Sequence, residues 1–184
     1  MNTDDCFRLF LLNTTNDAQL AAFLDQTANH ILGPFPAGLS TDAGLVVANP
    51  VFGDDPAYAR NFTSADYHGT VVWSWQLAMM AAGLERQLDR CQAGGGGAYG
   101  CHAATLPAFC RDSGLRTKVI AAYNHLWDLI EANRANLSNE VWSWRYQGGK
   151  FAATPLGAFS ATESDIVQLW SLTFLAVRRN EPLR

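Results

Sequence analysis

Apolar residues recur at α-helical spacing in four segments of the chain. These segments cover residues 17–33, 70–90, 115–136 and 163–179. Gly33-Pro34 ends the first of them, because neither residue continues a helix well. Ser160 and Glu163 form a capping box at the start of the last. No alternation of strands and helices interrupts the pattern, so it predicts an all-α fold of two antiparallel helical hairpins.

The connections between these helices are long and rich in glycine. A connection as long as residues 34–64 is usually functional. The Gly/Cys-rich insertion, residues 91–114, has four consecutive glycines but lacks the Lys and Ser/Thr of a phosphate-binding loop. In the last connection, Gly148-Gly149 is a turn signal that indicates a short β-hairpin or an irregular loop.

Residues 66–76 lead from a polar turn directly into the apolar second helix. We expect Thr70 to cap that helix, since its hydroxyl can accept a hydrogen bond from a first-turn N–H. Residues just before a helix N-terminus often contact ligands. The candidate substrate-binding side chains of this stretch are Tyr67, His68, Trp73 and Gln76. The alternative is a helix start whose tryptophans are simply buried in the core.

The composition of the 184-residue chain favours a packed core, with 48% hydrophobic and 16% charged residues. The net charge of −4 provides no basic surface, so we expect neither nucleic acids nor anionic membranes as partners. No apolar run approaches the ~18 residues that a membrane-spanning helix needs.

Two features point outside the cytosol. The disulfide candidates are Cys91, Cys101 and Cys110. Three tripeptides match the N-glycosylation pattern, beginning at Asn13, Asn61 and Asn136. The alternative is a set of free buried thiols in a cytosolic protein, and the cysteine spacing matches no standard zinc site. No signal peptide is visible, so an extracellular location would place the native start upstream of Met1.

Three motifs carry a resemblance to a known family. Residues 67–75 read Tyr-His-Gly-Thr-Val-Val-Trp-Ser-Trp, residues 138–141 read Ser-Asn-Glu-Val, and residues 161–171 contain Gln-Leu-Trp-Ser. Together they resemble the final part of the six-hairpin glycosidases, the helical-toroid hydrolases that include debranching-enzyme C-terminal domains. The resemblance implies that the chain is one partial (α/α)-toroid domain, which supplies about two of six helical hairpins.

The resemblance also implies a chemistry. An inverting glycosidase needs two carboxyl groups ~6.5–9.5 Å apart, one acidic and one basic. The resemblance places the general base at Glu140, with the alternative that it is a solvated loop glutamate. Trp142 and Trp144 follow it closely in the sequence and are candidates for binding the sugar. Glu163 and Asp66 are further carboxylates, which capping and turn formation explain without catalysis.

Two functions remain open at this point. The first is the C-terminal part of a glycoside hydrolase that acts on an oligo- or polysaccharide, with the fragment itself inactive and no cofactor. The second is a non-catalytic module that binds glycans, or that pairs with the missing part of the toroid or another chain. The hydrolase hypothesis requires Tyr67 and Glu140 to meet at one pocket.

Overall fold

The computed structural model of the protein describes residues 2–92, 106–160 and 169–184, with Ser171 described by its backbone alone. These residues form five α-helices and five β-strands, in the order α1 (Asp5–Leu11), α2 (Asp17–Leu32), β1 (Ser40–Thr41), β2 (Gly44–Leu45), α3 (Pro56–Asn61), β3 (Val72–Trp73), α4 (Ser74–Asp89), α5 (Ser113–Ala132), β4 (Val141–Gln147) and β5 (Lys150–Thr154). Short 3₁₀ helices occupy Pro50–Phe52, Ala108–Cys110, Arg134–Asn136, Leu156–Ala158, Leu169–Leu175 and Glu181–Leu183.

The strands form two small antiparallel sheets, β1–β2 and β3–β4–β5. The predicted all-α fold, with helical hairpins as part of an (α/α) toroid, is therefore wrong, and the described chain is mixed α/β. The sequence pattern does not reveal β3, because its two residues lie in the apolar run that continues into α4. Its partner lies far along the chain, with Val72 paired to Trp142 and Trp73 to Val141. Periodicity within one segment does not show such a distant pairing.

The turn predicted at Gly148-Gly149 joins β4 to β5 as a hairpin, in which Gln147 pairs with Lys150. The two glycines have φ of 59° and 81°. A two-residue hairpin turn often needs positive φ at both central residues, and glycine adopts that conformation without a steric cost. The hairpin is thus encoded locally, which is why the glycine pair reveals it.

Two of the predicted helices are confirmed with clear caps. α2 begins after Asn16, whose side chain accepts a hydrogen bond from the Gln19 N–H at 3.0 Å, and ends at Gly33. α5 covers most of the predicted third helix and begins after Asp112. The Asp112 carboxylate accepts from the Leu115 N–H at 3.0 Å. α2 starts at the predicted residue 17, and α5 starts two residues before the predicted residue 115.

The start of the second predicted helix differs from expectation. α4 begins at Ser74, with Trp73 at the N-cap position and no side-chain cap bond. Thr70 is therefore not the cap. Its N–H donates to the Thr63 carbonyl at 3.0 Å and its carbonyl accepts from Trp144 Nε1 at 2.7 Å. These contacts hold Thr70 in a turn that precedes β3.

Part of the sequence-based interpretation concerns residues that the structure does not describe. Glu163 of the predicted capping box, the first turns of the predicted fourth helix and Cys101 lie outside the described residues. Beyond them, Leu169–Leu175 forms a 3₁₀ helix rather than the predicted α-helix.

α4 is the central helix of the core, with 12 of its 16 residues buried. It packs on α1 so closely that a Cβ built on Gly83 would lie 2.7 Å from Leu9 Cβ. Gln87 completes this contact by donating to the carbonyls of Leu9 and Leu12 at 2.8 and 3.0 Å. Those carbonyls lie at the C-terminal end of α1, where helical acceptors are otherwise unpaired. α5 packs against both α2 and α4.

A disulfide joins Cys91 to Cys110. It connects the end of α4 to the 3₁₀ helix that precedes α5, so it closes the insertion at its base. Two of the three disulfide candidates are therefore paired with each other. The remaining described cysteine, Cys6, is a free thiol that is completely buried in α1.

We expect the stability of the protein to fall above pH 9 because of Cys6. Burial is the main cause that raises the pKa of its thiol from 9.0 to about 12. The unfolded chain therefore loses the Cys6 proton first, and stability decreases as the pH rises between these two values. The slope is at most about 1.4 kcal/mol per pH unit.

The measurement is the free energy of unfolding in urea at several pH values from 8 to 10.5. Cys6→Ala should have a shallower slope, although its absolute stability also changes because a buried side chain is shortened. The variant should still lose some stability at alkaline pH, because burial also raises the pKa of the Tyr123 phenol. An unchanged slope in Cys6→Ala would show that this thiol does not contribute.

Candidate functional site

An open cleft of about 410 Å³ lies at the junction of β3 and α4. Four separate parts of the chain meet there: the N-terminal residues before α1, the segment after β2, the end of α3 with the turn that follows it, and the start of α4. The lining residues are Asn2, Asp4, Val47, Ala48, Phe62, His68, Trp73, Trp75 and Gln76. Three aromatic side chains of the lining, His68, Trp73 and Trp75, belong to residues 66–76.

The aromatic part of the cleft is a group of rings around Trp73. The His68 ring stacks on the Trp73 ring, with centroids 5.7 Å apart and planes at 28°. The Tyr67 ring packs against both rings, and its centroid lies 4.6 Å from that of Trp73 and 4.9 Å from that of His68. The Trp75 ring lies perpendicular to Trp73 at 5.9 Å. The cleft wall therefore combines rings in two orientations, of which His68 is exposed and Trp73 and Trp75 are each 8% exposed.

A close turn places Tyr67 and His68 beside Trp73. Gly69 is required in it, because a Cβ at this position would lie 1.8 Å from the carbonyl oxygen of Thr63. The Gly69 N–H donates to the Asp66 carbonyl at 2.9 Å. Asp66 is exposed, and its carboxylate accepts a short hydrogen bond from the Thr63 hydroxyl. Asp66 thus acts as a turn residue here.

A polar pair, Asp4 and Gln76, also lines the cleft. The Gln76 amide donates from Nε2 to the Asp4 carboxylate at 2.8 Å, and its oxygen accepts from the Thr3 hydroxyl. The Thr3 N–H in turn donates to the Val47 carbonyl at 2.8 Å. These bonds fix the orientation of the Gln76 amide. They also attach the N-terminal residues to the cleft.

Two indole donors beside the cleft have no acceptor within the described part of the chain. Among the described residues, the indole N–H groups of Trp73 and Trp75 are buried and lack a hydrogen-bond partner. A buried donor that is left unpaired costs about 1–3 kcal/mol. Each such group therefore requires an explanation, and an acceptor supplied by water or by a ligand is one.

A second cleft of about 340 Å³ adjoins the first. The two clefts share three lining residues, Asn2, Ala48 and Phe62. The second also has the side chains of Phe52 and Tyr58, which are 62% and 49% exposed. Aromatic side chains exposed to this degree provide open, flat surfaces next to the main cleft.

The structure brings most of the predicted site residues of the 66–76 stretch together. His68, Trp73 and Gln76 line the cleft, and Tyr67 packs against the first two. Trp142 and Trp144 lie elsewhere. Trp142 is fully buried, and its Nε1 donates to the Ala43 carbonyl at 2.7 Å.

Trp144 is also held by protein contacts. Its Nε1 donates to the Thr70 carbonyl at 2.7 Å. Its ring packs against Phe151 and Phe35, at centroid distances of 4.9 and 6.1 Å. Neither Trp144 nor Trp142 is among the residues that line the described cleft.

The structure places Glu140 next to the cleft but not on its wall. The Glu140 carbonyl accepts from the Ser74 N–H at 2.9 Å and from the Ser74 hydroxyl at 3.2 Å. Tyr67 contacts Trp73, so Tyr67 and Glu140 adjoin the same two-residue segment. The Glu140 side chain is only 3% exposed and does not line the cleft. Its catalytic role stays a prediction.

Sequence reasoning missed several parts of the site. Asp4, Asn2 and Phe62 line the cleft, yet no local pattern distinguishes them. The N-terminal residues reach the site through an antiparallel bridge between Asn2 and Ala48. Trp75 belongs to the same motif as Trp73, and this neighbourhood was the one available signal for its role.

Comparison with protein-family models, with curated proteins and with solved structures finds no match for this chain. Within the described residues, no group of three or more His, Cys, Asp or Glu side chains is placed to hold a metal ion. None of the described helices is long and apolar enough to cross a membrane. The molecule is thus defined as a mixed α/β protein with an open aromatic cleft, and its function is inferred from that cleft.

Proposed function

We propose that the protein binds a carbohydrate chain in the aromatic cleft at the start of α4, without hydrolysing it. The observation that carries this proposal is the combination of aromatic rings with the Asp4–Gln76 pair in one cleft. A sugar ring has an apolar face of C–H groups and an edge of hydroxyls. The face suits an aromatic surface, and the hydroxyls donate to carboxylate and amide oxygens.

The shape of the site favours a chain of sugars over a single sugar. The first cleft has a volume of about 410 Å³ and the adjoining one about 340 Å³. Ligand sites for small molecules typically measure ~300–1,000 Å³. Because the two clefts share lining residues, one chain can occupy both, with Phe52 and Tyr58 as the aromatic surface of the second.

The number of carboxylates among the described residues that line the cleft favours binding over hydrolysis. Hydrolysis with inversion needs two carboxyl groups that face the sugar from opposite sides. Among the described residues that line the cleft, Asp4 is the one carboxylate. Glu140 is buried behind the wall and its backbone is engaged by Ser74. The non-catalytic hypothesis therefore has more support than the hydrolase hypothesis.

The proposal predicts that oligosaccharides quench or shift the tryptophan fluorescence of the protein, with affinity that His68→Ala lowers about tenfold, or about 1.4 kcal/mol. His68 is exposed and stacks on Trp73, so its removal leaves the fold intact while taking away part of the binding surface. The measurement is a fluorescence or calorimetric titration with glucose-, galactose-, mannose- and N-acetylglucosamine-based oligosaccharides of two to six units.

Tyr146→Ala is the matched control. Tyr146 is an aromatic residue that is 61% exposed on β4, away from the cleft lining, so this variant should bind like the parent. Release of reducing ends during long incubation would contradict the non-catalytic part of the proposal. Absence of binding at millimolar sugar across the panel, or an unchanged affinity in His68→Ala, would contradict the whole of it.

A further inference from the structure

We propose that a second cavity, at the C-terminal end of α5, binds a small organic monocarboxylate with an apolar body. This arginine cavity has a volume of about 400 Å³, and its residues come from the end of α5, from the 3₁₀ helix that follows it and from the C-terminal segment. The residues that decide its chemistry are Trp127, Glu131, Arg134, Phe174, Arg178 and Arg179. The inference is independent of the carbohydrate proposal.

Arg179 is the fixed donor of the arginine cavity. Its side chain is only 6% exposed. Nη1 donates to the Asp128 carboxylate at 2.9 Å and Nη2 donates to Asn124 Oδ1 at 2.8 Å. The third donor, Nε, is buried and has no partner among the described residues. An unpaired buried donor is costly, especially on a charged group, and a ligand oxygen provides the missing acceptor.

Two further arginines line the same cavity. Arg134 and Arg178 are exposed, and among the described residues neither has a carboxylate at salt-bridge distance. Three guanidinium groups thus gather at one place in a chain whose net charge is −4. The planar fork of arginine matches the geometry of carboxylate and phosphate oxygens.

The charge balance decides between a monoanion and a polyanion. The lining contains the three arginines and two glutamates, Glu131 and Glu181. Outside the lining, Asp128 pairs with Arg179, and Arg184 pairs with Glu181 at 3.6 Å. The negative charge of Asp128 and the positive charge of Arg184 cancel each other. The three arginines and two glutamates of the lining therefore leave one positive charge in excess. That excess suits a singly charged carboxylate, whereas a polyphosphate would meet the two glutamates.

The apolar body of the ligand is inferred from the rings in the wall. Trp127 and Phe174 lie edge to face, with centroids 6.4 Å apart and planes at 76°. Ile130 and Val177 extend this apolar surface within the same cavity. A volume of about 400 Å³ leaves room for an aryl or branched alkyl group beside the carboxylate.

The probe is phenylacetate, titrated into the full chain by calorimetry and by ligand-observed NMR. We expect phenylacetate to bind at least tenfold more tightly than 2-phenylethanol, which has the same body without the charge, and than acetate, which lacks the body. Arg134→Gln and Arg178→Gln should each weaken phenylacetate binding about tenfold. Arg116→Gln, an exposed arginine on α5 outside the cavity, should leave it unchanged.

Three results would overturn the proposal. They are equal affinities for phenylacetate and 2-phenylethanol, unaltered phenylacetate binding in both arginine variants, and tighter binding of inorganic phosphate than of phenylacetate. His68→Ala should bind phenylacetate like the parent protein, because His68 belongs to the aromatic cleft and not to the arginine cavity. The two proposals therefore fail or succeed separately.

Discussion

Replacing Trp142 by alanine is expected to lower the free energy of unfolding by about 3–5 kcal/mol. The Trp142 side chain is fully buried and is among the largest that are. Its ring packs against β2, where a Cβ built on Gly44 would lie 3.7 Å from the Trp142 Cζ2 atom. Truncation therefore leaves a cavity between the two sheets and removes the donor to the Ala43 carbonyl. The measurement is urea unfolding followed by circular dichroism.

Two variants separate the contributions at Trp142. Trp142→Phe keeps most of the apolar volume and loses the hydrogen bond, so we expect a smaller loss, about 1–2 kcal/mol. Tyr146→Ala, on the exposed end of the same strand, should change stability by less than about 0.5 kcal/mol. A loss below 1 kcal/mol in Trp142→Ala would contradict the assigned core role.

Trp142→Phe also tests the sequence-based hypothesis that Trp142 binds sugar. The structure places Trp142 in the core, so this variant should retain the oligosaccharide affinity of the parent protein while losing stability. A selective loss of sugar affinity at unchanged stability would support the hypothesis instead.

Loss of the Cys91–Cys110 disulfide is the second large effect that we expect. The bridge closes a loop with a sequence separation of 19, for which chain entropy predicts a stabilisation of about 3 kcal/mol. The double variant Cys91→Ser/Cys110→Ser should therefore unfold at a lower urea concentration than the oxidised parent. The measurement is equilibrium unfolding with and without a thiol reductant.

The reductant provides the control for this prediction. The reduced parent should fall to about the stability of the double variant, and the double variant should not respond to the reductant. A parent protein that is equally stable in both conditions would contradict a stabilising bridge. A disulfide of this kind persists in oxidising compartments, and the extracellular location stays a prediction.

The elements that the sequence shows correctly are those whose determinants lie within a few residues. The helix predicted to begin at residue 17 and to end at Gly33 is α2, and Gly148-Gly149 turns the β4–β5 hairpin. Each depends on a side chain or a backbone conformation acting on its immediate neighbours. Part of the candidate site is visible for the same reason, because His68, Trp73 and Gln76 lie within one short stretch.

The elements that the sequence did not show depend on partners far along the chain. The pairing of β3 with β4 makes the fold mixed rather than all-α. It pairs Trp73 with Val141, which lies far along the chain. The cleft gains Asp4 only because the N-terminal residues bridge to the segment after β2. Resemblance of short motifs does not determine such contacts, since each motif is compatible with more than one arrangement of the rest.

Trp73 and Trp142 show the division most clearly. Both stand in aromatic, partly apolar stretches. The local sequence favours the core for Trp73, which it places on a helix face, and a sugar site for Trp142, which it places in a loop. Trp142 finds a carbonyl acceptor at Ala43, 99 residues away, and is enclosed. Trp73 stacks on His68 at the edge of an open cleft. The local sequence determined that both positions carry an aromatic side chain close to a turn, and both are largely buried in the structure. Only the packing of distant segments decided that Trp142 is enclosed and that Trp73 lines a cleft, because enclosure requires atoms that the local chain does not supply.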